Sequence, residues 1–125
     1  MIFVFGSNRS GIHGAGAAKH ALLTKGAVMG YGEGLKGNSY ALPTKGHEIE
    51  KLPVLEIKKH VDTFLEFADY NQELEFQVTQ VGCGLGGYTL HDIAPLFQGI
   101  WLPNLYFDYK WHNYLGANTK YWGTL

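Results

Sequence analysis

Two of the glycine clusters along this chain each separate an apolar run from a helix-forming one. Gly6-Ser7-Asn8, continuing through Gly11, Gly14 and Gly16, follows Ile2-Phe3-Val4-Phe5 and leads into an alanine-rich stretch. Gly82-Cys83-Gly84-Leu85-Gly86-Gly87 follows the alternating segment Glu75 to Val81 and precedes Thr89. A strand, a glycine loop and a helix, occurring twice, predict a layered α/β domain with a mostly parallel or mixed sheet. Such a loop lets backbone amides approach a ligand with no Cβ in the way. A helix N-terminus beyond it adds unpaired N–H groups and partial positive charge, an arrangement suited to phosphate. Two such loops at the carboxyl ends of strands can hold a diphosphate between them. The plainer alternative is that the glycines only make tight turns. No Gly-Lys-Ser/Thr closes the first loop, so it is not a P-loop.

The remaining pattern fits the same architecture. Ile2 to Phe5 predicts a buried strand ended by Gly6, and about Gly14 to Lys25 a helix with Gly26 as its C-cap. Residues 26–38 carry five glycines and are expected to be a loop. Ser39 to Leu42 reads as a short strand closed by Pro43, and 46–52 as a polar turn. Pro53 to Tyr70 is the clearest helix, with Val54, Ile57, Val61, Phe64, Leu65 and Ala68 at three- and four-residue steps. Thr89 with Asp92 three residues on suggests a capping box. Leu105 to Tyr109 suggests a last strand. One domain over residues 1–125 is expected, with about 101–125 an aromatic C-terminal extension.

Composition narrows the function. The chain has 46% hydrophobic and 17% charged residues, enough to fold around one core, and a net charge of −1. That balance disfavours a general nucleic-acid binder. Cys83 is the single cysteine, so no internal disulfide forms and a reducing, cytoplasmic setting is expected. The opening run Met1 to Phe5 has no basic flank and is interrupted at Gly6, so neither a signal peptide nor a membrane span is expected. His20, His60, His91 and His112 show no metal-ligand spacing, and no metal or cofactor is predicted.

At these residues the chain resembles a macro domain, the α/β module that binds ADP-ribose. The resemblance rests on Asn8 followed by Gly11-Ile12-His13-Gly14-Ala15-Gly16-Ala17-Ala18, on Leu42-Pro43-Thr44-Lys45, and on Gly82 to Gly87. It spans about residues 2 to 97 and is nearest to the branch of lysine-dependent ADP-ribosyl hydrolases and DNA ADP-ribosylation antitoxins. It implies a compact three-layer fold with ADP-ribose or a related nucleotide as ligand. Modified DNA or protein would be the larger partner, and no membrane is involved. It also implies that Asn8 contacts the ribose beside the reacting bond, that Gly14 to Ala17 and Gly84 to Tyr88 wrap the diphosphate, and that Lys45 is the catalytic lysine. With Met1 directly before the Asn8 strand, the aspartate by which macro domains read adenine has no counterpart. Gly86 replaces an acid of the glutamate-specific enzymes, as glycine does in the DNA-acting ones.

The candidate site is therefore Asn8 and Lys45 as catalytic residues, with Gly11, His13, Gly14, Ala15, Gly16, Gly82, Cys83, Gly84, Leu85, Gly86, Gly87 and Tyr88 around the ligand. Lys45 would act as an amine nucleophile or as a charge on the phosphates. His13 would donate to a phosphate, or fill a loop surface. Cys83 would be activated at a helix N-terminus, or be a small buried thiol. Tyr31 and Glu33 are candidates to close over the ligand, His47 and Glu48 to assist Lys45. Three functions stay open: an ADP-ribosyl hydrolase, a module that captures ADP-ribose or a signalling nucleotide without turnover, and a structural protein whose tail mediates assembly.

Overall fold

The computed structural model describes all of residues 1–125. Its centre is β1 (Ile2–Asn8), a strand whose apolar residues face both ways. Phe3 and Phe5 point into a small cluster with Ala18, Ala21, Ala27 and Ala41, whereas Ile2 and Val4 join the main core. A strand covered on both faces needs this unbroken apolar run rather than an alternating one. On the first face lies α1 (Gly16–Thr24), whose alanines allow close approach to the two phenylalanines. On the other lies α2 (Val54–Tyr70), burying Ile57, Val61, Phe64, Leu65 and Ala68 against Tyr40, Leu42 and Phe76. The chain thus forms the expected three-layer α/β fold.

β2 (Gly34–Lys36), β3 (Ser39–Lys45), β4 (Phe76–Val78), β5 (Leu105–Asp108) and β6 (Tyr121–Gly123) complete a six-stranded sheet in the order β2-β3-β1-β4-β5-β6. Only the β2–β3 pair is antiparallel. Because α1 leads to one side of β1 and α2 carries the chain across to the other, the carboxyl end of β1 is a topological switch point, where such sheets take ligands.

Several boundaries differ from expectation. β1 runs on through Gly6-Ser7 to Asn8, because β3 lies alongside its whole length. β3 likewise passes Pro43 and ends at Lys45. The missing N–H of Pro43 is tolerated there because β2 pairs only with Ser39 to Ala41, leaving the outer edge beyond without a partner strand. Residues 26–38 are not all loop, since Gly34–Lys36 forms β2. β4 is shorter than Glu75 to Val81, and β5 stops at Asp108, whose side chain accepts from Lys110 N and caps a 3₁₀ turn over Tyr109–Trp111.

The aromatic segment after Trp101 is part of the sheet rather than an appendage to it. Trp111 is fully buried edge-on against Phe97 and Phe107, and its indole N–H donates to the Thr79 carbonyl at 3.4 Å. Trp122 donates to the Val78 carbonyl at 3.1 Å. These two bonds tie α4 (His112–Leu115) and β6 to the end of β4. α3 (Leu90–Ile93) is only four residues long and continues into a 3₁₀ turn over Ala94–Leu96. No helix is long and apolar enough to cross a membrane.

Candidate functional site

At the carboxyl ends of β3, β1, β4 and β5 a cavity of about 650 Å³ opens between the two glycine loops. Leu85, from the second loop, lies over the first. A Cβ built on Gly16 would stand 3.0 Å from Leu85 Cδ1. Of the expected residues, Asn8, Gly14, Ala15, Gly16, Lys45, Gly82, Cys83, Gly84, Leu85 and Gly86 line this space. Gly11, His13, Gly87 and Tyr88 do not.

The cavity is rich in unspent amides. Gly14, Ala15, Gly16, Ala17 and Ala18 make no backbone hydrogen bond through their N–H groups, as the first turn of a helix requires. Ala15, at the N-cap, supplies no side-chain cap that would satisfy them. In the second loop the N–H groups of Gly82, Gly84 and Leu85 are likewise unpaired. Here a long helix is not the reason. Gly84–Gly86 curls into a 3₁₀ turn, Gly87 takes a left-handed φ of 89°, and the short α3 begins only after Thr89. The expectation that a helix N-terminus stands behind both loops therefore holds for the first loop alone. The second offers its amides through its own turn.

Lys45 and Asp108 are the only Lys, Arg, Asp or Glu side chains lining the cavity. Three strand spacings separate them, about 14 Å. Lys45 is half-buried and makes no ion pair or hydrogen bond through its ammonium. Asp108 is fully buried without a cation and accepts from Lys110 N (2.9 Å), Gln80 Nε2 (3.2 Å) and Leu125 N (3.3 Å). Burying a carboxylate is costly unless it is hydrogen-bonded, and these three donors meet most of its acceptor capacity.

Asn8 is committed to its own loop. Its Oδ1 accepts from Ile12 N at 3.0 Å and its Nδ2 donates to Ile12 O at 2.8 Å, fixing the path from β1 toward α1. The 26–38 segment holds this loop from behind. Gly30 N donates to Gly11 O, and Ser7 Oγ to Gly32 O. Gly11 has φ 71°, and a Cβ there would lie 2.5 Å from the Gly30–Tyr31 backbone, so it serves a crossing of two backbone segments rather than a ligand.

His13 is also structural. It is buried, edge-on to Phe5, with Nε2 at 3.2 Å from Tyr31 O, and its Nδ1 has no partner. Tyr31 and Glu33 are not poised over the cavity. Lys36 lies over the Tyr31 ring, and Glu33 pairs with His60 Nδ1 at 2.7 Å beside the Arg9–Glu56 ion pair. His47 and Glu48 are exposed and outside the cavity lining.

Tyr88 braces the second loop rather than facing a ligand. Its hydroxyl donates to Leu52 O at 2.6 Å, and Lys51 Nζ lies 4.4 Å from its ring centre. Cys83 lines the cavity, but burial, with Asp92 adding to it, pushes its thiol up to about 11. It is therefore the inert thiol of the two alternatives. The expected cap is present: Thr89 and Asp92 form a full capping box.

Residues that sequence reasoning passed over include Asp108 and Gln80 on the far wall, Thr79 at the end of β4, and Ile49 beside Lys45. An aspartate closing an apolar strand looks like any loop opener. Ile49 did carry a signal, being the one apolar residue in the turn from Gly46 to Glu50. No three His, Cys, Asp or Glu side chains converge as metal ligands would. No protein-family profile, curated protein or solved structure matches the chain.

Proposed function

We propose that the cavity binds ADP-ribose or a closely related nucleoside-diphosphate sugar, and that the protein hydrolyses an ADP-ribosyl bond, as the resemblance to macro domains implies. One observation carries this reading: two sets of unpaired backbone amides, from opposite loops, meet over one cavity whose only Lys or Arg side chain is Lys45. Convergent N–H donors of this kind suit a chain of two phosphates better than one.

Charge then orients the ligand. A phosphate beside the buried Asp108 carboxylate would be repelled, so the diphosphate lies between the loops. The terminal sugar extends toward Lys45, and the base toward Asp108 and Gln80. An exocyclic amine there meets the unspent amide oxygen of Gln80, whose N–H is held by Asp108, and this favours adenine over hypoxanthine. At the other end hydrolysis breaks the bond from the anomeric carbon to the attached group, water adding to the carbon and a proton going to the leaving group. Lys45 serves that step as a charge beside the departing group; as an attacking amine it would first lose a proton, bond to the anomeric carbon as the attached group leaves with a proton, and release ADP-ribose when water cleaves that new bond.

A second reading, a binding module without turnover, draws on Asn8. Its amide is consumed by Ile12 and no acid or base stands within hydrogen-bond reach of Lys45. Calorimetry with ADP-ribose, against AMP, ATP, NAD and the inosine counterpart of ADP-ribose, tests the ligand. Gly14→Val should abolish binding, since Gly14 has open space before it and needs no left-handed backbone. Release of ADP-ribose from modified DNA or protein, lost in Lys45→Ala with binding retained, supports the enzyme. Binding with no release supports the module, and heat from none of these ligands refutes both.

A further inference from the structure

The turn between β3 and α2 contains the one residue outside glycine with a positive φ, Ile49 at 64°. Local hydrogen bonds account for the geometry. Ile49 N donates to Gly46 O, Gly46 N to Glu50 O, and Lys45 and Lys51 form an antiparallel bridge. This is a tight turn followed by a left-handed position, where turn chemistry favours glycine or asparagine. A β-branched residue there is a genuine outlier. Core packing does not compensate, because Ile49 is 42% exposed and belongs to neither hydrophobic cluster. What the side chain does is line the cavity on the Lys45 side.

A second exposed isoleucine lines the same space. Ile12 is 47% exposed, and Asn8 clamps its backbone at both N and O. The two positions are mechanically joined: Ser10 Oγ donates to His47 O at 2.5 Å, and Arg9 N to Lys45 O at 3.0 Å. The loop bearing Ile12 and the turn bearing Ile49 thus flank the ends of β1 and β3, where Asn8 and Lys45 lie.

We propose that Ile12 and Ile49 form an apolar jaw at the Lys45 end of the cavity, which grips an uncharged planar ring attached to the ligand's terminal sugar and so determines which attachments the site accepts. The inference rests on the ADP-ribose reading above. Two exposed isoleucines lose water when a flat apolar face enters between them, whereas a charged attachment would be stripped of water with no partner supplied. Strained backbone persists where it aims a group at a ligand, and relief of that strain by the residues the turn prefers would remove the jaw's upper half.

The test compares ADP-ribose with two derivatives that contain no hydrolysable bond, its phenyl C-glycoside and its carboxymethyl C-glycoside, by calorimetry on the intact protein. The phenyl compound should bind about tenfold tighter than ADP-ribose, and the carboxymethyl compound no tighter. Ile49→Asn, which suits the left-handed turn, and Ile12→Ala should each erase the phenyl advantage while leaving ADP-ribose affinity within about twofold. The melting temperature of Ile49→Asn should equal or exceed that of the parent, separating the jaw from any role in folding. No phenyl advantage in the parent, or equal weakening of all ligands in both variants, overturns the jaw alone. No binding of ADP-ribose overturns the reading of the cavity and the jaw with it.

Discussion

The two glycine loops look alike in sequence and are built differently. The first leaves β1 and enters a nine-residue helix, so its amides are those of a true helix N-terminus with the dipole behind them. It is held in place by short polar side chains and backbone, through the Asn8 amide on Ile12, Ser7 Oγ on Gly32 O and the crossing of Gly11 with Gly30. The second curls into a 3₁₀ turn, reverses at Gly87, and is braced by side chains: Tyr88 on Leu52, Lys51 over Tyr88, and the Thr89–Asp92 box. Similar glycine spacing therefore yields two kinds of loop that present unpaired amides, one relying on a helix and one on a turn.

The sharpest way to break this comparison is to add one methyl group to each loop. Gly11 and Gly84 both have left-handed φ, 71° and 62°. At Gly11 the new Cβ strikes backbone at 2.5 Å, whereas at Gly84 nothing lies within 4 Å. Gly11→Ala should combine conformational strain with overpacking and cost about 3 kcal/mol. Gly84→Ala should cost about 1 kcal/mol, the conformational part alone. Denaturant melts of the two variants measure the difference, and equal losses would mean the first loop is free to move away from Gly30.

A smaller effect probes the foot of the second loop. Thr89→Ala removes one half of the capping box and should cost about 1 kcal/mol at neutral pH. The cost should depend on pH. Hydrogen bonds from Thr89, backbone and then side chain, hold the Asp92 carboxyl below its usual range. A depressed carboxyl contributes stability above its unfolded value, near 3.9, and loses it as the pH falls through the lower folded value. The gap between wild type and Thr89→Ala should therefore narrow below about pH 4. A gap that stays constant from pH 7 to pH 3 would show that the Thr89 hydroxyl does not hold the Asp92 carboxylate, since alanine keeps the backbone N–H that also bonds it.

How much of this could be read from the chain follows from how local each feature is. α2 and the capping box depend on residues within one or two turns of each other, and both were legible. The length of β1 and the passage of β3 through Pro43 were not, because neighbouring strands decide them. Beyond β5, the tail defeated sequence reasoning for the same reason. Trp111 is a core residue only because Phe97 and Phe107 come to meet it, and the β5–β6 pairing crosses a helix and a turn. In the site, the cavity-facing glycines were marked by their spacing, and Lys45 only by the resemblance carried by Leu42 to Lys45. His13 and Gly11 have the same spacing yet face inward, toward the 26–38 segment, whose docking no periodicity announces. Asp108 ends β5, which was read as a strand, and only the pairing of β5 with β4 brings it to the far wall of the cavity.

Cys83 gives the finest discrimination between the two kinds of loop, because it lies inside the second loop and reports the local field. A helix N-terminus would draw a thiol down toward neutrality. A turn backed by a four-residue helix supplies little such field, so burial dominates and holds the thiol near 11, with Asp92 assisting. Alkylation by iodoacetamide at pH 7 should accordingly run about a hundredfold slower than for an ordinary exposed thiol. Its rate should climb with each pH unit and flatten only near the thiol's own titration. Asp92→Asn should move that profile slightly toward lower pH. A rate that levels off at or below about pH 8.5 would mean the second loop carries the field of a helix terminus after all, and the contrast between the loops would collapse into a single mechanism.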